Sequence, residues 1–252
     1  MVRKPHLCSS AARFITAENG PTLESGTALA NYTSTLSCDR TLPHDGQPRT
    51  WGGARNRANR VSDGLTDRQV ADLLSAGKYA MNTGRIFQRH WTVHYGLAGI
   101  EPSDGARFVS RLLDLVAKQA QREGGRMTAL WVRERASGKG EHVHILLHLP
   151  AGMRLQGRTR RWIEAAGGRW RRGVSKVRTV GRALAKVEGN SKTHRIANAA
   201  NVVRYMLKAA SVQTGERLAL TKAGRGGSIV GKRCGWTQNI GKAARGRGRL
   251  ET

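Results

Sequence analysis

Residues 127–150 read MTALWVRERASGKGEHVHILLHLP, and this stretch restricts the chain more than any other. Two runs rich in β-branched, aromatic and aliphatic residues flank a Ser-Gly-Lys-Gly turn, the pattern of an antiparallel hairpin. Side chains alternate across a strand, so Val143, Ile145, Leu147 and Leu149 share one face. His142, His144, Leu146 and His148 share the other. The first set needs a layer of helices to bury against. The second puts imidazoles where a solvated strand would carry ordinary polar residues, and leaves a face open for a ligand.

Two imidazoles at i and i+2 stand about 7 Å apart at Cα and can converge on one divalent cation. A third ligand, preferably an oxygen, is offered by Glu134 in the preceding strand. A three-residue loop at Gly138–Gly140 pairs residue 134 with 144 and sets Glu134 on the histidine face. A two-residue loop at Gly138-Lys139 would turn Glu134 to the opposite face. Gly140 favours the longer loop, which wants a left-handed residue at its end. The same register sends Arg133 and Arg135 toward the helix-covered face, tolerable only near its edge. Alone, His-x-His is equally compatible with a solvated strand. His148 lies a further ~13 Å along the strand and is assigned to DNA contact or to the surface.

The flanking sequence supplies the other layers. TDRQVADLLSAGKYA forms a short helix capped by Thr66, with Gln69 closing a capping box. RIFQRHWTVHYGL carries a strand around Trp91–Tyr95. PSDGARFVSRLLDLVAKQAQREGG is the clearest helix, with Asp104 as its cap and Phe108, Val109, Leu112, Leu113, Val116 and Ala120 as its apolar stripe. After the hairpin come a basic helix (RTRRWIEAAGG), a strand (GVSKVRTV) and a helix (ANAANVVRYMLKAAS). Residues 1–64 read as an irregular basic arm, and the chain from Gly215 as Gly/Lys/Arg-rich and frayed at its end. The order β–α–β–β–α–β–α predicts an α+β fold, an antiparallel sheet with helices packed on one face, between basic, partly disordered extensions.

A formal charge of +27 over 252 residues implies a polyanionic partner, because each neutralised phosphate releases a counterion, although a ribosomal-type or solvated basic surface accounts for it as well. Cys8, Cys38 and Cys234 are too few and too scattered for a disulfide framework or a cysteine zinc site, which points to a reducing, cytoplasmic setting. No stretch has the length and apolarity of a membrane span.

In NVVRYMLK, a helical wheel gathers Val202, Val203, Met206 and Ala210 on one side and Asn201, Arg204, Tyr205 and Lys208 on the other. Tyr205 and Lys208 are one turn apart. A phenol with an ordinary pKa near 10 is a poor nucleophile at neutral pH, and a neighbouring ammonium favours its ionised form. HVHILLH resembles the His-hydrophobic-His motif of the HUH endonuclease superfamily, and YMLK resembles its single-tyrosine Tyr-x-x-Lys motif. The tyrosine follows the histidines, as in rolling-circle replication initiators and some single-strand transposases. HWTVHY, with Thr92, sits where the initiators carry their first motif, and GKRCGWTQNIG is similar to a segment of bacterial relatives. The resemblance covers about residues 86–243.

The resemblance implies a ferredoxin-like or RRM-like nuclease domain over 85–243, after an extension at 1–84 and before a basic tail at 244–252. It implies His142, His144 and Glu134 as ligands of Mn²⁺ or Mg²⁺, Tyr205 as nucleophile and Lys208 as its helper. The substrate it implies is single-stranded or hairpin origin DNA of a plasmid or phage, cut through a 5′-phosphotyrosine. Two nitrogen ligands favour Mn²⁺. Thr92, Asn201, Arg204, Arg161, Trp162 and His148 are candidate DNA contacts. Trp162 and Trp170, bracketed by arginines, could stack on unpaired bases, although a basic solvated helix accounts for them as well. Trp131 points away from Glu134 and fills the core. Tyr95 is the rival nucleophile, lacking a lysine one turn away.

GGSIVGKR approaches a phosphate loop, but Arg233 stands where a Ser or Thr must hold Mg²⁺, so unwinding falls to a separate host helicase acting in trans. Two further readings stay open: a transposase or relaxase-like nickase, and a basic nucleic-acid-binding protein without catalysis.

Overall fold

The computed structural model describes residues 59–181, 191–220 and 222–247. The expectations for the arm before residue 59 and for the last residues of the tail fall outside them. In chain order the elements are β1 (Val61–Ser62), α1 (Asp67–Asn82), β2 (Arg89–His94), α2 (Tyr95–Ala98), α3 (Gly105–Arg122), β3 (Thr128–Ala136) and β4 (Gly140–His148). They continue as α4 (Thr159–Ala165), β5 (Ser175–Thr179), α5 (Lys192–Met206), α6 (Val212–Arg217), β6 (Ile229–Val230), β7 (Cys234–Trp236) and α7 (Lys242–Arg247). The fold is α+β: a five-stranded antiparallel sheet in the order β5-β2-β4-β3-β7, with β1 and β6 forming a separate pair.

Local chemistry explains the main elements. Thr66 N–H donates to Gln69 Oε1 and Gln69 N–H to Thr66 Oγ1, completing the capping box that starts α1. Asp104 precedes α3 but makes no side-chain cap: its backbone is already helical (φ −88°, ψ −11°), closing a 3₁₀ turn at Pro102–Asp104, and its carboxylate pairs with Arg107 at 2.6 Å. The α3 stripe buries Phe108, Val109, Leu112, Leu113, Val116 and Ala120, as its spacing predicts. The β3–β4 turn is Ser137–Lys139, one residue earlier than expected, with Gly138 and Gly140 both at positive φ. Pairing therefore moves by two: Glu134 opposes His142, and Val132 opposes His144. A shift of two preserves the face of every side chain, so Glu134 still stands with the histidines.

One face of the sheet buries Trp91, Val93, Trp131, Val143, Ile145 and Leu147 beneath α3 and α4. The other face is not bare, as the one-sided layering expected. Leu130, Val132 and Leu146 alternate onto the histidine side and need cover, which Val70 and Leu73 of α1 and Ala199, Val203 and Met206 of α5 provide. The helix read as part of an N-terminal extension is thus half of the second core. The Gly/Lys/Arg-rich region after residue 215 supplies the edge strand β7 against β3.

Arg133 lies on the helix-covered side, as its parity requires, but deep inside rather than at an edge. It is fully buried and every N–H is used. Nε and Nη2 donate to Glu141 Oε1 at 2.9 and 2.5 Å, Nη1 to the carbonyls of Val230 and Lys232, and Nη2 also to that of Pro102. Arg233, in the loop resembling a phosphate site, is buried too and donates to Gly226, Gly227 and Ser62. That loop is a structural tie between β1 and β6.

Candidate metal centre and tyrosine

Glu134, His142 and His144 project from two adjacent strands onto one face and are almost wholly buried. One ligand atom from each lies within 4.8 Å of the others, a group that could hold a divalent cation. The remaining ring nitrogens decide whether it fits. His142 Nδ1 lies 3.1 Å from the carbonyl of Gly140, a bond it can make only as a donor, which leaves the Nε2 lone pair facing Glu134 Oε1 at 3.2 Å. His144 Nδ1 stands 3.1 Å from Thr92 Oγ1 and 3.0 Å from His90 Nε2. Its Nε2 faces the same carboxylate oxygen without forming a well-shaped hydrogen bond, so a buried nitrogen there lacks a partner. Rings tethered through Nδ1 with Nε2 turned inward are the usual arrangement of metal-ligating histidines.

The charge states agree. Burial alone would raise the carboxyl pKa of Glu134, but the close approach of the His142 and His144 rings to its Oε1 and the charge of Lys208 outweigh it and hold the group ionised. Burial lowers the pKa of His144 more than Glu134 raises it. An ionised carboxylate beside a neutral imidazole is what a cation requires of its ligands.

Tyr205, in the last turn of α5, is 46% exposed. Its ring stands edge-on to those of His144 and His90, with centroids 5.7 and 6.2 Å away. Lys208 falls beyond the helix, in a 3₁₀ turn at Leu207–Ala209. From there Nζ donates to the Tyr205 phenol oxygen at 2.7 Å and pairs with Glu134 Oε1 at 3.0 Å. These two partners raise the lysine pKa despite partial burial, so the ammonium keeps its proton. One cation thus bridges the phenol and the carboxylate of the triad.

That turn is held from both sides. Leu65 N–H donates to Ala209 O at 2.7 Å, Ser211 N–H returns to Leu65 O at 3.0 Å, and Arg225 N–H donates to Lys208 O at 3.1 Å. The chain at residue 64 approaches so closely that a Cβ on Gly64 would come within 2.3 Å of Ser211 N.

Other candidates separate by position. Asn201 and Arg204 are exposed on the helix that carries Tyr205. Thr92 props His144 from within the cluster. His148 is half-buried, with Nδ1 donating to the carbonyl of Ile86 at 2.9 Å, which ties the strand end to the loop after α1. Trp162 cannot stack on a base: it is 8% exposed and packs against Trp91 on the opposite side of the sheet. Arg161 is exposed on that same distant helix. Tyr95, the rival candidate, is out of reach of any substrate. It is fully buried among the α3 residues, its O–H donates to Gly105 O, and burial drives its pKa upward. Trp131 is in the core, as expected.

The sequence reading passed over His90 and His94. They alternate with Thr92 in RHWTVH and pair across the sheet with Leu146 and His142. His90 touches His144 directly, and the His94 ring lies 5.3 Å from that of His142. Burial, with the charges of His144, Arg178 and Lys208 adding to it, pulls the His90 pKa down to about 4. The period-two alternation of that strand was the available signal.

Comparison of the chain with protein-family models, curated proteins and solved structures finds no match. Among the described residues no helix is long and apolar enough to cross a membrane.

Proposed function

We propose that this chain is a metal-dependent, single-strand DNA endonuclease of the HUH type that nicks origin DNA and starts rolling-circle replication. The observation that carries the reading is the Lys208 bridge, which joins the exposed phenol of Tyr205 to the carboxylate of a buried His₂Glu group. A structural tyrosine has no need of such a neighbour.

A bound Mn²⁺ or Mg²⁺ would supply Lewis-acid polarisation of a non-bridging phosphate oxygen, held by Glu134, His142 and His144. Tyr205 Oη gives up its proton to solvent and attacks phosphorus in line. The phosphorus–O3′ bond breaks, its electron pair leaves with O3′, and that oxygen takes a proton to become a free 3′-OH. The 5′-phosphate remains esterified to Tyr205, conserving the bond energy for rejoining. Lys208, which keeps its proton, acts as a charge and not as a base, holding the phenolate oxygen over the triad. Tethered through Nδ1, the histidines keep Nε2 directed at the reacting phosphate's side.

The test is incubation with single-stranded and hairpin oligonucleotides and Mn²⁺, followed by denaturing electrophoresis. A covalent protein–DNA adduct is expected. Tyr205→Phe is expected to abolish it while leaving salt-sensitive binding intact. Adduct formation undiminished in that variant would refute the assignment.

A further inference from the structure

The face of the sheet opposite the histidines carries a groove that the proposed nicking chemistry does not use. It has a volume of about 640 Å³ and opens beside the edge strand β5. Arg89, Arg154, Trp170, Val177 and Thr179 line it. Trp170 is 36% and Val177 37% exposed, so an indole face and a methyl surface lie open together. No carboxylate lines the groove, and neither arginine is in an ion pair among the described residues. A flat aromatic surface next to two uncompensated guanidiniums is the chemistry of an unpaired nucleotide: a base for the ring, phosphates for the arginines.

The groove communicates with the tyrosine side around one strand. On the histidine face, β5 presents Lys176 opposite Thr92 and Arg178 opposite His90, both exposed. On the reverse face the same strand presents Val177 opposite Trp91 and Thr179 opposite Arg89. Because β5 is the sheet edge, nothing among the described strands lies beyond it. A nucleic-acid strand leaving Tyr205 would meet Arg178 and Lys176, turn over the edge and arrive at Trp170.

We infer that this groove is a second single-stranded DNA subsite, which holds a nucleotide of the substrate strand away from the scissile phosphate by stacking on Trp170 and pairing with Arg89 and Arg154. The inference rests on the nicking reading for the identity of the strand, but its test does not require cleavage.

Binding of a fluorescent single-stranded DNA of about 20 nucleotides, longer than one such site needs, is measured by anisotropy in EDTA on the full chain. Base stacking on one aromatic ring corresponds to roughly 5- to 150-fold in affinity, so Trp170→Ala is expected to weaken binding by that range and Trp170→Phe to restore most of it. Arg154→Gln is expected to weaken binding more than Arg111→Gln, which removes the same charge from the exposed side of α3. Photo-cross-linking with bromodeoxyuridine-substituted DNA is expected to mark the peptide containing Trp170. Wild-type affinity for Trp170→Ala, or cross-links confined to other peptides, overturns the inference. So does tighter groove-dependent binding of an RNA of the same length, which would remove the substrate strand as occupant. Absence of any covalent adduct with wild-type protein and Mn²⁺ sinks the nicking account and leaves these binding results to stand or fall separately.

Discussion

Replacing Lys208 by Met keeps the length and apolar stem of the side chain and deletes its charge. Nζ lies 2.7 Å from the phenol oxygen. At that separation the attraction between an ammonium and a phenolate is about 1.5 kcal/mol with the dielectric of bulk water and about 6 kcal/mol at an effective value of 20. Tyr205 is nearly half exposed, so the lower part of that range applies, about 1.5–3 kcal/mol, in line with a hydrogen bond to a charged group. The rate of adduct formation should fall by about 10- to 100-fold at saturating DNA and metal. Single-turnover gel assays across pH give the measurement. Lys208→Arg should recover part of the rate. A Met variant that reacts as fast as wild type at neutral pH would refute the role of the bridge, whatever the fate of the tyrosine.

Two predictions concern stability. In metal-free protein the folded-state pKa of His90, about 4, lies below its unfolded value of 6.5, so the unfolded chain binds more protons between these limits. Stability is complete above pH 6.5 and declines as pH falls toward 4, by about 3 kcal/mol from this residue. Urea titrations with EDTA should show that slope in wild type and a shallower one in His90→Gln, and equal slopes would contradict it. Glu141→Ala strands Arg133 as an unpaired charge in the core, and should cost about 3–5 kcal/mol in the same assay, with a change below 1 kcal/mol counting against the pair.

The residues of the candidate site could be read along the chain because they obey local periods. His142 and His144 show a period of two, and Tyr205 and Lys208 a single helical turn. Glu134 survived an error in the turn because a register shift of two residues leaves every side chain on its face. What could not be read depends on remote pairing. Arg133 looked unfit for the interior until its acceptors appeared near residues 102, 141 and 230–232. Trp162 looked like a stacking residue because its arginine neighbours are basic, yet the α4 face that carries it turns into the core. His90 looked incidental because only strand pairing brings it to His144. The cover on the histidine face was hidden for the same reason, since Leu130, Val132 and Leu146 each look like ordinary strand residues in isolation.

The clamp on the 3₁₀ turn has a practical outcome for anyone dissecting the molecule. A fragment starting at residue 85 would retain every group named in the proposed nicking chemistry. It would lose Leu65, whose two hydrogen bonds straddle the turn, and the helix that roofs half of the second core. Such a fragment would own all its reagents and be unable to aim them, so the smallest excision expected to work begins upstream of Gly64.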